Sequence, residues 1–160
     1  MKGLLNAVQG LSRVMNAIAG SALVFLMFLT ISDVILRFFK RPIVGTYELV
    51  AFSGAVVIGF SLPLTSWLRA HIFVDFLVLK FSKKVQNIFH VATRCVAMLL
   101  FMVAGWNLVI YGLDLKKSGE VSSTLQMPFY PIAFGVALSC FILCLVLLCD
   151  IVKISGGQYE

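Results

Sequence analysis

Residues 125–149 read LQMPFYPIAFGVALSCFILCLVLLC, 25 consecutive positions without a charged side chain. Three more runs share that property: Val14–Ser32 (19 residues), Leu49–Leu68 (20) and Cys95–Leu113 (19). About 20 apolar residues at 1.5 Å rise each cross a hydrocarbon core roughly 30 Å thick. All 20 charged residues therefore lie in the 77 positions outside the runs. A water-soluble helical core does not segregate charge in this way, because each of its helices needs one polar face. The pattern predicts an all-α integral membrane protein with four transmembrane helices.

Composition agrees. The 160-residue chain is 61% hydrophobic and 12% charged, with a mean hydropathy of +1.02. The longest connection, Arg69–Arg94, holds 26 residues, too few for a soluble domain of ordinary size. The expectation is one membrane domain over residues 1–160, with spans near 14–36, 47–68, 88–113 and 126–150. The first run ends at Asp33 and not at a small-residue cleavage site, so it reads as an uncleaved span and not a signal peptide. The net charge of +6 does not argue for nucleic acid here. In a membrane protein Lys and Arg collect at cytoplasmic ends and at lipid headgroups.

Aromatic residues mark the interfaces. Tyr47 and Trp67 lie 20 positions apart, about 30 Å of helix, which matches the separation of two aromatic belts. Tyr111 closes the third span and Tyr130 opens the fourth. Pro128 and Pro131 fall in the first turns of that fourth span, where a missing N–H costs least. Pro63, inside span two, must free the carbonyl of Gly59 and is expected to kink the helix. Such a defect is tolerated in a membrane when a neighbour satisfies the freed group.

Residues 70–84 form a second apolar stretch, too short to span. At 100° per residue His71, Asp75 and Ser82 fall within about 40° of one another, while Lys80, Lys83 and Lys84 point elsewhere. The expected element is a short interfacial helix between the second and third spans. His71 and Asp75 face each other at i,i+4 and are expected to stabilise it, with Arg69 and Lys80 near lipid phosphate or a partner's polar groups. Ala51, Ala55 and Gly59 line span two at four-residue spacing, and Ala133 and Ala137 line span four. Such faces allow close helix approach, either inside the bundle or to a partner.

Residues that carry chemistry are sparse. Asp33 and Arg37, at the end of span one, have i,i+4 ion-pair spacing, and Glu48 opens span two. No ionisable residue lies deep in a run, which is where transport and proton relay usually place one. Cys140 and Cys144 share a helix face without a His or third Cys beside them, and with Cys95 and Cys149 they read as small apolar filler. Asn16, Asn107 and Gln126 read as interhelical hydrogen-bond partners. No cofactor, metal or catalytic residue is expected. The residues alone describe a small, four-span protein that supports another subunit.

The order of local signals is more specific. Asp33-Val-Ile-Leu-Arg37 closes span one; Gly45-Thr-Tyr-Glu48-Leu49 opens span two; Arg69-Ala-His71-Ile-Phe-Val74-Asp75 follows it; Thr124-Leu-Gln-Met-Pro128 opens span four. Together these resemble the small membrane subunit, or Q component, of tripartite ATP-independent periplasmic (TRAP) transporters, over nearly the whole chain. That family often has a basic residue between its His and Val-Asp, where this chain has Phe73. The resemblance implies a three-part uptake system in the bacterial inner membrane. A periplasmic binding protein captures an organic anion, such as a C4-dicarboxylate or sialic acid. A large permease subunit of about twelve spans carries it, coupled to a sodium gradient, and the small subunit supports that permease as scaffold. Lys40, Arg41, Lys116 and Lys117 would then face the docked binding protein. Two other classes share the hydropathy: a haem-bearing anchor of a redox enzyme, using His71 and His90, and a small homo-oligomeric channel or exporter. A visible spectrum tests the first, and transport by this chain alone in liposomes tests the second.

Eight Lys/Arg lie in the N-tail, second connection and C-tail, against five in the other two connections. By the positive-inside rule both termini are cytoplasmic. In a background lacking the four native cysteines, Ser155→Cys should therefore resist an impermeant thiol reagent applied from the periplasm. Labelling from that side reverses the orientation.

Overall fold

The computed structural model describes residues 2–68 and 83–155. Four helices follow one another: α1 (Lys2–Phe38), α2 (Thr46–Trp67), α3 (Lys83–Ser118) and α4 (Tyr130–Ser155). Each is long and apolar enough to cross a membrane. The helical segments differ in extent from the expected spans. α1 and α3 continue for several turns beyond their charge-free runs. α4 begins at Tyr130, so residues 126–129 belong to the preceding turn. The reason is local: Gln126 takes a left-handed φ of 53°, and Pro128 pairs with Val121 in an isolated antiparallel bridge, both incompatible with helix. The interfacial helix expected near 70–84 falls mostly on residues outside those described.

The helix ends have identifiable stops. After α1, Lys40 sits at φ 59°, its N–H reaching Arg37 O (3.0 Å), while Arg41 N–H reaches Leu36 O (2.9 Å). This is the Schellman pattern of paired backbone bonds, built here on a lysine in place of the usual glycine. α3 ends at Gly119, φ 68°, whose N–H bonds Leu115 O at 3.1 Å.

The helices pack as two antiparallel hairpins, α1–α2 and α3–α4, joined along an α2–α4 seam; α1 touches α4 only slightly. The order across the molecule is α1, α2, α4, α3. Burial is concentrated in α4. In α4, 56% of the apolar window is buried, against 17% in α2 and 11% in each outer helix. The stripe of buried or half-buried positions on α1 includes Val8, Ser12, Met15, Ala19, Ala22, Leu26, Leu29 and Asp33, with Gln9 and Asn16 half-buried beside it. Those of α3 include Arg94, Met98, Phe101, Gly105, Leu108, Gly112 and Leu115. Both stripes alternate steps of three and four, the 3.5-residue period of left-handed helix packing. α4 is the inverse, with its exposed positions reduced to a few such as Pro131, Leu138, Leu145, Leu148 and Val152.

Small residues set the distances. A Cβ at Gly112 would come within 2.9 Å of the Phe134 ring, and one at Gly105 within 3.2 Å of Cys140. Across the seam a Cβ at Gly59 would meet Val136 at 3.2 Å. Ser139, fully buried on α4, donates its hydroxyl to the Gly59 carbonyl. That is the acceptor Pro63 strips of its helical donor, and Pro63 itself is buried among the same residues. α2 runs unbroken through the proline because its neighbour supplies the missing hydrogen bond. At the far end of the seam Val8, Val146, Cys149 and Trp67 form a cluster that joins α1, α4 and α2.

Gly112→Leu should push α3 off α4 and cost about 2 kcal/mol by overpacking. Gly20→Leu is the control. A Cβ there meets nothing within 4 Å, so the change should be neutral or mildly stabilising. Unfolding midpoints in detergent measure both, and equal effects would refute the close α3–α4 approach.

Candidate functional site

Three of the segments that carry the resemblance meet at the end formed by the α1–α2 and α3–α4 connections. Asp33 is buried at the end of α1. Its carboxylate accepts Arg37 Nε at 2.6 Å and the backbone N–H of Ile43 at 3.0 Å. One acid therefore fixes a side chain one turn on and folds the connection back over the helix end. Arg37 also lies over the Tyr47 ring, 5.4 Å from its centroid, and Thr46 Oγ1 donates to Ile43 O at 2.9 Å.

Gly45 precedes α2 with φ 80°. A side chain there would be strained by that φ and would overlap Leu125 of the other hairpin. Three residues on, Glu48 reaches across the seam. Its carboxylate accepts Ser122 Oγ (2.7 Å), Thr124 N (2.7 Å) and Leu125 N (2.9 Å). Ser122 Oγ in turn accepts Met127 N at 3.1 Å, and Ser122 N–H donates to Met127 O at 2.9 Å. The α3–α4 turn is thus wrapped on a carboxylate from α2. Phe52 and Phe129 pack edge to face just below, with centroids 5.3 Å apart. The anion also sits in the first turn of α2, where the helix dipole favours it.

At the opposite end Arg94 of α3 meets Asp150 of α4, Nη2 to Oδ2 at 3.5 Å, with both residues buried. Sequence reading overlooked this pair, because each residue lies just outside a charge-free run and reads as a tail or connection charge. Antiparallel pairing of α3 with α4 was the only signal that would have joined them. Ser122 and Ser139 were missed for a plainer reason: a lone serine has no pattern.

The remaining expected residues are placed as follows. Lys40, Arg41, Lys116 and Lys117 are all exposed at the connection end. Along the small-residue face, Gly59 packs on α4, Ala55 is half-buried and Ala51 is exposed. Arg69, His71, Asp75 and Lys80 lie outside the described residues. Of the three polar residues expected to bridge helices, Asn16 is half-buried on α1; Asn107 is exposed and donates to Val103 O of its own helix at 2.9 Å; and Gln126 is exposed in the turn. Within the chain Asn107 does not bridge helices, because the α3 stripe that faces α4 passes through Gly105, Leu108 and Gly112, and Gln126 precedes α4 with a left-handed φ. Among the described residues no group of three or more His, Cys, Asp or Glu is placed to hold a metal.

These features define a multi-pass membrane protein whose ordered polar contacts brace its own helices. The family model for the DctQ component of tripartite ATP-independent periplasmic transporters matches residues 26–156, and the chain belongs to that family. It is a transporter component, from a family that is not one of enzymes. Searches of curated proteins and of solved structures returned no match.

Two substitutions test the braces. Glu48→Ala should loosen the α3–α4 turn, read as faster proteolysis near Ser123 while the helical content stays intact. Unchanged cleavage would show that the carboxylate holds nothing. Arg94→Leu leaves the Asp150 carboxylate buried without its cation, and should cost about 3 kcal/mol in detergent unfolding. The double change Arg94→Leu/Asp150→Leu should recover most of that loss, and no recovery would mean the two residues do not interact.

Proposed function

We propose that this chain is the scaffold subunit of a sodium-coupled importer of organic anions, paired in the bacterial inner membrane with a large permease and served by a periplasmic binding protein. The observation that carries the reading is the family match over residues 26–156. The polar geometry supports it. The ion pairs and interhelical hydrogen bonds described above stay within the chain, bracing one helix end, joining helix to helix or holding a connection to a helix, leaving substrate and coupling ions to the permease. The imported class is carboxylates, C4-dicarboxylates or sialic acids, with selection made by the other two components.

Both termini are cytoplasmic in this proposal, which turns the connection end to the periplasm. There the exposed Lys40, Arg41, Lys116 and Lys117 attract an acidic surface of the binding protein. Glu48 and Asp33 contribute indirectly, by holding the two connections that carry these cations. By the charge count the connection holding Arg69 and Lys80 is cytoplasmic, where basic side chains suit anionic lipid headgroups or polar groups of the permease.

The test is reconstitution of permease, binding protein and this chain in liposomes under a sodium gradient. Uptake should require all three. Full uptake without this chain would end the obligate-subunit reading. Reversing the four cations to Glu should weaken capture of the binding protein and flatten its salt dependence, with the membrane complex still assembled. Unaltered salt dependence would remove them from the docking surface.

A further inference from the structure

The outer faces of α1 and α3 differ in a way that packing within the chain does not explain. Both helices have a single stripe turned to the bundle and are otherwise exposed. On α1 the exposed middle is apolar, and the hydroxyls of Ser21 and Thr30 are satisfied locally, by Ile18 O and Leu26 O. On α3 the exposed face carries Asn107, Tyr111 and Asp114. At 100° per residue these three lie within about 60° of one another, with Leu100 on the same line. They form a polar ridge that descends from the connection end about 10 Å into the apolar span.

Asn107 is the informative member. Tyr111 and Asp114 are ordinary at an interface, but Asn107 lies inside a charge-free run, seven positions from Asp114 and thirteen from Arg94. One amide N–H is used on Val103 O. The other N–H and the carbonyl oxygen have no partner among the described residues, and neither has the Asp114 carboxylate. Against hydrocarbon the open half of the Asn107 amide carries a desolvation cost with nothing returned. A partner helix that offers hydrogen bonds at that depth removes the cost.

We propose that the α3 ridge of Leu100, Asn107, Tyr111 and Asp114 is the seat of a transmembrane helix of the large permease subunit. This rests on the proposed function and specifies its docking face. The partner helix carries a Ser, Thr, Asn or Gln opposite Asn107, and a donor or cation opposite Asp114 near the interface. Charge decides against a second copy of this chain. A two-fold axis along the membrane normal would set Asn107 against Asn107, an acceptable amide pair, but would also set Asp114 against Asp114. A heterologous helix avoids that repulsion.

The experiment is photocrosslinking in membranes that hold this chain with the co-expressed permease. Benzoylphenylalanine is placed at Leu100 or Val103 on α3, at Val24 or Ile31 on α1, and at Leu145 on α4. The proposal expects adducts with the permease from the α3 positions and only lipid adducts from α1. Asn107→Leu should lower the recovered permease about threefold, the scale of one interhelical hydrogen bond in a membrane. Copurification with permease adducts confined to α1 or α4 overturns the ridge and leaves the subunit reading standing. Adducts to a second copy of this chain from Leu100 overturn it in favour of self-association. Failure of the permease to copurify at all removes both readings.

Discussion

The Glu48 carboxylate joins two halves that the chain itself joins only through a long connection. Each half is a helical hairpin, and the hairpins meet along the α2–α4 seam. Hairpins of apolar helices gain little from apolar burial in lipid, so their mutual position has to be set by close packing and polar contacts. Glu48 supplies such a contact at one end, accepting three donors from the α3–α4 turn. Ser139 and Gly59 supply it in the middle, and the cluster around Trp67 closes the far end. α4 is the most buried helix, and it touches all three of the others: α3 in its own hairpin, α2 along the seam and α1 slightly.

The seam also turns a local defect into a specific contact. Pro63 removes one helical hydrogen bond from α2 and so exposes a carbonyl that must be satisfied inside the chain. Gly59 bears that carbonyl and has no side chain to keep α4 away. Ser139 fills the gap with a hydroxyl. The three residues define one depth along both helices, much as the Glu48 contacts define another. Arg94 and Asp150 set the depth of α3 against α4 in the same manner.

Much of this was legible in the residues. Charge-free runs marked four spans, because a bilayer penalises charge more strictly than any soluble core does. Ordered short signals pointed to the family, and Asp33 and Arg37 have the spacing at which they pair. Glu48 was visible as an interfacial acid, but its partners were not. Ser122, Thr124 and Leu125 lie more than 70 positions away and offer a hydroxyl and two backbone N–H groups, which every sequence possesses. The Arg94–Asp150 pair was hidden by its position at the very edges of runs. Asn107 was visible as a polar residue, yet its facing depended on which stripe of α3 the glycines had claimed.

Helix length follows position in the row. The outer helices α1 and α3 have 37 and 36 residues, and the inner α2 and α4 have 22 and 26. The outer pair is therefore about 55 Å long, well beyond a hydrocarbon core of roughly 30 Å. Much of the excess falls at one end, where α1 before Val14 and α3 before Cys95 carry basic residues and no acidic ones. A change in bilayer thickness is met first by these outer helices, whose overhang keeps helix and basic charge at the headgroups without any shift in their packing. The shorter inner pair has no comparable overhang. Hydrophobic mismatch is absorbed at the edges of the molecule, and the seam that defines its shape holds the same register in thin and thick membranes.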